Sequence, residues 1–166
     1  MIDMEGEIIV EIANSEKAFA DGRRLFEEYA ASLNFNLCFQ GFEAELDQIS
    51  LQYHAPTGAL IVAYLHQEAV AVVGIREFEA QKAELKRMYT QPAFRGKKIG
   101  NKILEKAIES ATELGYKELL LDTLPEMQSA IKLYHQFGFK EIEAYRYNPF
   151  DTAIYMAKDL TAFIKI

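Results

Sequence analysis

Hydrophobic residues recur along the chain with two different periods, and their order predicts a mixed α/β (α+β) fold. Short apolar or alternating runs, typical of strands, occupy residues 7–12, 59–65, 69–78, 83–90, 119–121, 139–146 and 154–160. Apolar residues at helical spacing occupy residues 15–33, 42–51, 103–114 and 125–138. The predicted order is βααβββαβαββ, a mixed sheet with a parallel crossover from Ala83 to Thr123. Pro125 is predicted to begin the last helix and Gly138 to end it.

The size and composition predict a single globular domain spanning residues 1–166. Half of the chain is hydrophobic and 26% is charged. No apolar run approaches the roughly 20 residues that a bilayer-spanning helix needs, and the acidic start at Met1–Gly6 lacks the features of a signal peptide. The single cysteine, Cys38, forms no internal disulfide, which fits a reducing compartment. We therefore expect a cytoplasmic protein that does not bind membranes.

The charge distribution points to a small anionic ligand. The formal net charge of −7 argues against nucleic acid or anionic membranes as partners. Yet six of the 18 Lys and Arg residues fall within one stretch of the chain: Lys86, Arg87, Arg95, Lys97, Lys98 and Lys102. His54, His66, His135 and Cys38 lack the spacing of zinc ligands, so no metal is expected.

The segment Arg95–Gly100 places three cations and two glycines where a helix begins. Gln91-Pro92 separates it from the preceding strand. Because a helix N-terminus carries partial positive charge and unpaired N–H groups, cations there suggest a bound phosphate or pyrophosphate. The alternative is a solvated first turn. The triphosphate motif G-x-x-x-x-G-K-[ST] and the dinucleotide motif G-x-G-x-x-G are both absent.

Three segments together resemble the GNAT superfamily of N-acetyltransferases. Arg95–Gly100 resembles the acyl-CoA loop Q/R-x-x-G-x-G/A, with Lys98 in place of the first glycine. Ala130–Phe139 matches the pattern A-x-x-L-Y-x-x-x-G-F, although Met127 stands where the family often has Asn. Ala83–Thr90 is similar to the fourth strand of the family. The resemblance covers nearly the whole chain and implies the GNAT fold.

The resemblance also implies a site for acetyl-CoA as co-substrate. Its pantetheine arm would follow the main chain of Met88, Tyr89 and Thr90. Its pyrophosphate would lie on the N–H groups of Arg95, Gly96, Lys97, Lys98, Ile99 and Gly100. Gly100 leaves room for the phosphate, whereas the side chain of Lys98 is expected to fit only with a negative φ.

Catalytic roles follow from the same resemblance. Glu84 is the expected base for the acceptor amine, with a solvent-facing strand position as the alternative and Asp122 as the second candidate. Tyr134 is the expected proton donor to the departing thiolate, with core packing as its alternative. The main-chain N–H of Met88 is the expected donor to the developing oxyanion.

The acceptor is expected to be a primary amine of a small metabolite, one that bears an anionic group. Arg76, Arg87 and Arg146 are the candidates to bind that group. Other residues expected around the acceptor are Tyr29, Phe35, Cys38, Phe39, Gln40, Tyr145, Tyr147 and Asn148. The alternatives are a protein or peptide N-acetyltransferase, a non-catalytic acyl-CoA sensor and an unrelated phosphate-binding protein. The sequence leaves a homodimer open.

Overall fold

A seven-stranded mixed sheet organises the computed structural model, which describes residues 6–33, 35–37 and 41–161. The strands are β1 (Ile8–Ile12), β2 (Ala59–Leu65), β3 (Glu68–Glu79), β4 (Lys82–Thr90), β5 (Glu118–Thr123), β6 (Lys140–Ile142) and β7 (Ile154–Asp159). Their spatial order is β1-β2-β3-β4-β5-β7-β6. Neighbours are antiparallel except β4 and β5, which are parallel, as the predicted crossover requires.

Among the described residues, five α-helices cover the two faces of this sheet, and a short 3-10 helix, Pro92–Phe94, follows β4. The α-helices are α1 (Glu16–Ser32), α2 (Phe42–Asp47), α3 (Ile49–Gln52), α4 (Ile99–Glu113) and α5 (Gln128–Gln136). One hydrophobic cluster joins α4 and α5 to one face, and a second joins α1, α2 and α3 to the other. The side chain of Ser15 caps α1 by accepting a hydrogen bond from the Ala18 N–H at 3.1 Å.

A bulge in β4 separates this strand from β5. Gly74 pairs with Lys86 and Val72 with Tyr89, so one residue of β3 faces two residues of β4, Arg87 and Met88. Arg87 adopts a φ of +59° at this bulge. The parallel pairing of β4 with β5 ends at Glu84 and Leu120. Beyond that pair the two strands enclose a cleft.

The predicted fold class is confirmed, while three boundaries differ. The predicted helix 42–51 is interrupted at Gln48 and forms two short helices. The last helix begins at Gln128 and not at Pro125, because the Met127 N–H bonds the Leu124 carbonyl in a preceding turn. The predicted strand 139–146 shortens to Lys140–Ile142.

Candidate active site

The cleft between β4 and β5 is lined by residues from both faces of the sheet. Its volume is about 80 Å³. From the face covered by α4 and α5, Met88, Leu121, Met127, Ala130 and Tyr134 line it. On the other side it is lined by Tyr29, Phe35, Leu37, Lys86, Arg87, Asp122, Asn148 and Phe150. We call this second side the acceptor side, because most of the residues that sequence analysis expects around the acceptor and that line the cleft lie there.

The Arg95–Gly100 loop leaves the start of α4 open. Arg95, Gly96, Lys97 and Lys98 are exposed, and no side chain caps the helix. Lys98 is the residue before the helix and has a φ of +62°, so the expectation of a negative φ at this position is wrong. The tight turn into α4 requires the left-handed conformation there, which glycine would adopt at lower cost.

Arg95 is tied to the end of β4. Its Nε donates a hydrogen bond to the Thr90 carbonyl at 3.1 Å, and its guanidinium lies over the Tyr89 ring. Lys86 and Arg87 lie on the acceptor side. The six clustered cations of the sequence are therefore divided, with Lys86 and Arg87 apart from the exposed loop.

Tyr134 projects from α5 into the cleft, where its ring packs against Phe139 with centroids 5.6 Å apart. The side chain is 6% exposed. Burial raises its pKa above the usual range, and the nearby charges of Tyr29 and Asp122 act in the same direction. Tyr134 therefore keeps its proton at physiological pH.

Glu84 is fully buried and does not line the cleft. Its Oε2 accepts a hydrogen bond from the Tyr145 hydroxyl at 2.8 Å, and its Oε1 accepts one from Arg146 Nη2 at 2.7 Å. Arg76 Nε and Lys86 Nζ approach Oε1 to 3.7 and 3.8 Å. The solvent-facing alternative is therefore excluded, and both oxygens already have donors within the protein.

Comparison with known proteins identifies the family. Residues 23–139 match the profile of the Acetyltransferase (GNAT) family. The chain belongs to the GNAT acetyltransferase family. An uncharacterized N-acetyltransferase of Schizosaccharomyces pombe is 34% identical over 143 residues, which cover 85% of this chain and 88% of that protein.

Two solved structures share the fold. A GNAT acetyltransferase of Staphylococcus aureus Mu50 superposes with a TM-score of 0.74 and 21% identity, covering 93% of this chain and 99% of that one. YncA of Salmonella typhimurium, solved with its cofactor acetyl-CoA, has a TM-score of 0.70 and 16% identity, covering 93% and 94%. The two structures show the shared fold, and the family match confirms the resemblance to GNAT acetyltransferases seen in the sequence.

In this GNAT acetyltransferase, all three arginines expected to bind the acceptor are engaged by buried carboxylates. Arg87 forms a bidentate ion pair with Glu45 of α2, with hydrogen bonds of 2.9 and 3.2 Å. Arg76 lies 3.7 Å from both Glu45 and Glu84, and Arg146 donates to Glu84. Of these three arginines, only Arg87 lines the cleft.

The other residues expected around the acceptor divide between the cleft and its surroundings. Tyr29, Phe35 and Asn148 line the cleft. Tyr145 lies behind it on Glu84, and Tyr147 is 82% exposed. Phe35 also packs against Phe150, which sequence analysis had not singled out, with ring centroids 4.7 Å apart. Cys38, Phe39 and Gln40 lie outside the described residues.

Sequence analysis also missed Lys86 as a residue of the acetyltransferase cleft. Its side chain is 4% exposed, and Glu84 is the one carboxylate of the described chain within 4.0 Å of Nζ. Burial lowers the pKa of Lys86 to about 8, against the opposing effect of the Glu84 charge. Across the cleft, the Asp122 carboxylate accepts a hydrogen bond from Asn148 Nδ2 at 3.2 Å.

The described residues include no cluster of three or more His, Cys, Asp and Glu side chains arranged to hold a metal ion. In the same part of the chain, no helix combines the length and the apolar composition needed to cross a bilayer.

Proposed function

We propose that residues 1–166 form one cytoplasmic N-acetyltransferase domain, which moves the acetyl group of acetyl-CoA to a primary amine of a small metabolite. One observation carries this proposal: the cleft between β4 and β5 holds Tyr134 on one side and Lys86 with Asp122 on the other. A proton donor and charged groups for an acceptor thus meet where the fold would place the thioester. The small cavity and the aromatic walls favour a compact acceptor.

The residues around the start of α4 fit the cofactor. The N–H groups at the start of α4, which no side chain of the described residues caps, and the exposed cations of Arg95, Lys97 and Lys98 suit a pyrophosphate. The main chain of Met88 to Thr90 would hold the pantetheine arm beside the β4 bulge. Acetyl-CoA supplies an activated acyl group and a thiolate leaving group.

The acceptor amine must lose a proton before it attacks, because an alkyl amine of pKa about 10.4 is only about 0.04% neutral at pH 7. We keep Glu84 as the proposed proton acceptor, acting through a relay, since its carboxylate lies behind Lys86 and does not line the cleft. Asp122 is the second candidate, and it could contact the amine directly because it lines the cleft.

We assign to Tyr134 the role of donating a proton to the departing thiolate, because its hydroxyl is buried, protonated and on the α5 side of the cleft. The main-chain N–H of Met88 is the proposed donor to the charge that develops on the acyl oxygen. The β4 bulge supports this assignment, because it takes Met88 out of register with β3.

The proposal is tested by incubating the protein with acetyl-CoA and a panel of amines, following free thiol and product mass. Amine-dependent thiol release is expected. Acetyl-CoA binding without any acetylated amine would instead indicate an acyl-CoA sensor.

Cofactor binding has its own assay, the change in melting temperature with CoA. Ligand at 100 times its dissociation constant should add about 2.7 kcal/mol to the free energy of unfolding. Gly100→Glu should abolish this gain, because it places a carboxylate beside the phosphate site. Among the described residues, a Cβ at Gly100 meets Leu133 Cδ2 at 3.4 Å, so the position itself accepts a side chain. An equal gain in both proteins would contradict the assignment of the loop.

A further inference from the structure

The acceptor side of the cleft carries more positive than negative charge. The charged side chains of the described residues grouped around it are four cations and three carboxylates: Lys86, Arg87, Arg76 and Arg146 against Glu45, Glu84 and Asp122. The sequence places no Lys, Arg, Asp or Glu at positions 34 and 38–40. With Lys86 protonated, one positive charge is therefore in excess in a largely buried region, where a charge is costly unless it is paired.

Two of the four cations, Lys86 and Arg76, lack a hydrogen bond to a carboxylate of the described residues. Arg76 lies 3.7 Å from Glu45 and Glu84, but its side chain is 21% exposed and donates to Gln52 at 3.2 Å, so the buried excess falls on Lys86. Arg87 is paired with Glu45 through two hydrogen bonds, and Arg146 is hydrogen-bonded to Glu84 at 2.7 Å. Lys86 Nζ is 3.8 Å from Glu84 Oε1, which is too long for a hydrogen bond. That oxygen also already accepts from Arg146. Lys86, which lines the cleft, thus carries an incompletely paired ammonium group.

A carboxylate lies across the cleft from this ammonium group. Asp122 and Lys86 both line the cavity, but they do not form an ion pair with each other. An ammonium and a carboxylate held apart in one small cavity complement a ligand that carries both charges in the opposite order. A small amino acid has this arrangement, whereas a polyamine or a simple alkyl amine has no group for Lys86.

We infer that Lys86 binds the carboxylate of the acceptor, so that the substrate class is small amino acids whose ammonium group faces Asp122. This inference rests on the proposed function, because it concerns the acceptor of that same acetyl transfer. Lys86 thereby takes the role that sequence analysis gave to Arg76, Arg87 and Arg146, which is to bind the anionic group of the acceptor. Lys86 offers up to three donors at the cleft wall, and a charge-assisted hydrogen bond to a carboxylate is about twice as strong as a neutral one.

The test compares each of several short α- and β-amino acids with its primary amide, which keeps the amine and removes the negative charge. Rates are expressed per neutral amine, and the ratio of kcat/KM for acid to amide is measured. Wild-type protein should prefer the acids. Lys86→Gln should lower the ratio at least 30-fold, and Lys86→Met, which keeps the apolar stem, should do the same. Lys82→Gln is the matched control, because Lys82 lies on the same strand but is 43% exposed outside the cleft.

An unchanged ratio in both Lys86 variants, or a wild-type preference for the amides, overturns the inference. Equal loss for acids and amides would make Lys86 a residue of the proton transfer and also overturns it. Calorimetric titration of the CoA-bound protein with the same acids and amides gives a second measurement without turnover. Wild-type protein that binds no acid more tightly than its amide contradicts the inference. Failure of the proposed function shows separately, because no acid and no amide would then cause thiol release from acetyl-CoA.

Discussion

Arg87 and Glu45 form a bidentate ion pair that joins the bulge of β4 to helix α2. Arg87 has a φ of +59°, which is unfavourable for a residue with a long side chain. Two hydrogen bonds to Glu45, together with the Phe42 ring 5.3 Å from the guanidinium, hold it there. Tyr53 also donates to Glu45 at 2.9 Å. A strained backbone position beside the Met88 N–H is thus fixed by a helix more than 40 residues away.

Glu45→Gln is expected to lower the free energy of unfolding by about 3 to 5 kcal/mol, because it leaves Arg87 buried without its partner. Burial alone would raise the pKa of Glu45, but the hydrogen bond and charge of Arg87 hold it below its usual value. The carboxylate is therefore ionised and paired at neutral pH. Denaturant unfolding at pH 7 measures the change. The control is Glu118→Gln, which removes an exposed partner of Lys82 and should cost less than about 1 kcal/mol.

Lys98→Gly should stabilise the free protein by about 1 kcal/mol. Lys98 has a φ of +62°, and relieving a side chain from the left-handed conformation is worth about 1 to 2 kcal/mol, partly offset by the greater freedom of an unfolded glycine. Thermal unfolding without ligand measures it. Lys97→Gly is the control, because Lys97 is not among the residues with positive φ and should gain nothing. Equal gains in both variants would contradict the strain argument.

Part of this site can be predicted from the local sequence pattern, whereas the rest depends on contacts between residues far apart in the chain. The strand, loop and helix around Arg95–Gly100 are encoded by adjacent residues, so periodicity and glycine placement predict them. The alternation of Glu84, Leu85 and Lys86 favours a strand with one solvent-facing side. In the structure that side is buried, because Tyr145 and Arg146 fold onto Glu84 from about 60 positions away. The hydrophobic periodicity of the sequence cannot predict a contact between residues so far apart in the chain.

Long-range contact also explains why the predicted strand 139–146 ends early, at Ile142. Residues 143–146 continue a pattern compatible with a strand, but the side chains of Tyr145 and Arg146 are used to satisfy the buried carboxylate of Glu84. Their main chain therefore leaves the sheet after Ile142. The positive φ of Arg87 is likewise set by Glu45 and not by any turn residue. Residues that bind other elements are thus the ones that local propensity misplaces.

Tyr134→Phe is expected to lower turnover by about 10²-fold or more while changing CoA affinity by only a few-fold, because it removes a proton donor and keeps the ring. Packing against Phe139 is preserved in this variant. Steady-state kinetics and CoA titration measure the two effects. Unchanged turnover would show that Tyr134 is a packing residue.

The two candidate bases are separated by Glu84→Gln and Asp122→Asn. Loss of the base should reduce the rate most at neutral pH, with partial recovery in alkaline buffer, where more of the acceptor amine is already neutral. Whichever of the two variants lacks the proton acceptor should regain part of its rate in alkaline buffer. A uniform loss at every pH in Glu84→Gln would give Glu84 a structural role and move the base to Asp122. Rate profiles from pH 6.5 to 10 decide between them.

Lys86→Met should stabilise the protein at neutral pH, and the gain should disappear in alkaline solution. Burial, together with the charges of Arg87 and Arg76, lowers the pKa of Lys86 from 10.5 to about 8 against the opposing charges of Glu84 and Asp122. Between these two pH values the unfolded chain binds a proton that the folded protein has released. The stability of the wild type therefore rises with pH across this window, and below pH 8 the full cost remains.

The size of the shift sets the expected gain. A pKa change of one unit corresponds to 1.36 kcal/mol, so the fall from 10.5 to about 8 predicts a gain on the order of 3 kcal/mol at pH 7. At pH 10.5 and above, folded Lys86 is neutral and the variant should match the wild type. Urea unfolding of both proteins from pH 7 to 10.5 measures the difference. Lys82→Met, on the exposed part of β4, should give only a small difference at pH 7. A Lys86→Met variant less stable than the wild type at pH 7 would show that the ammonium group is already well paired within the protein.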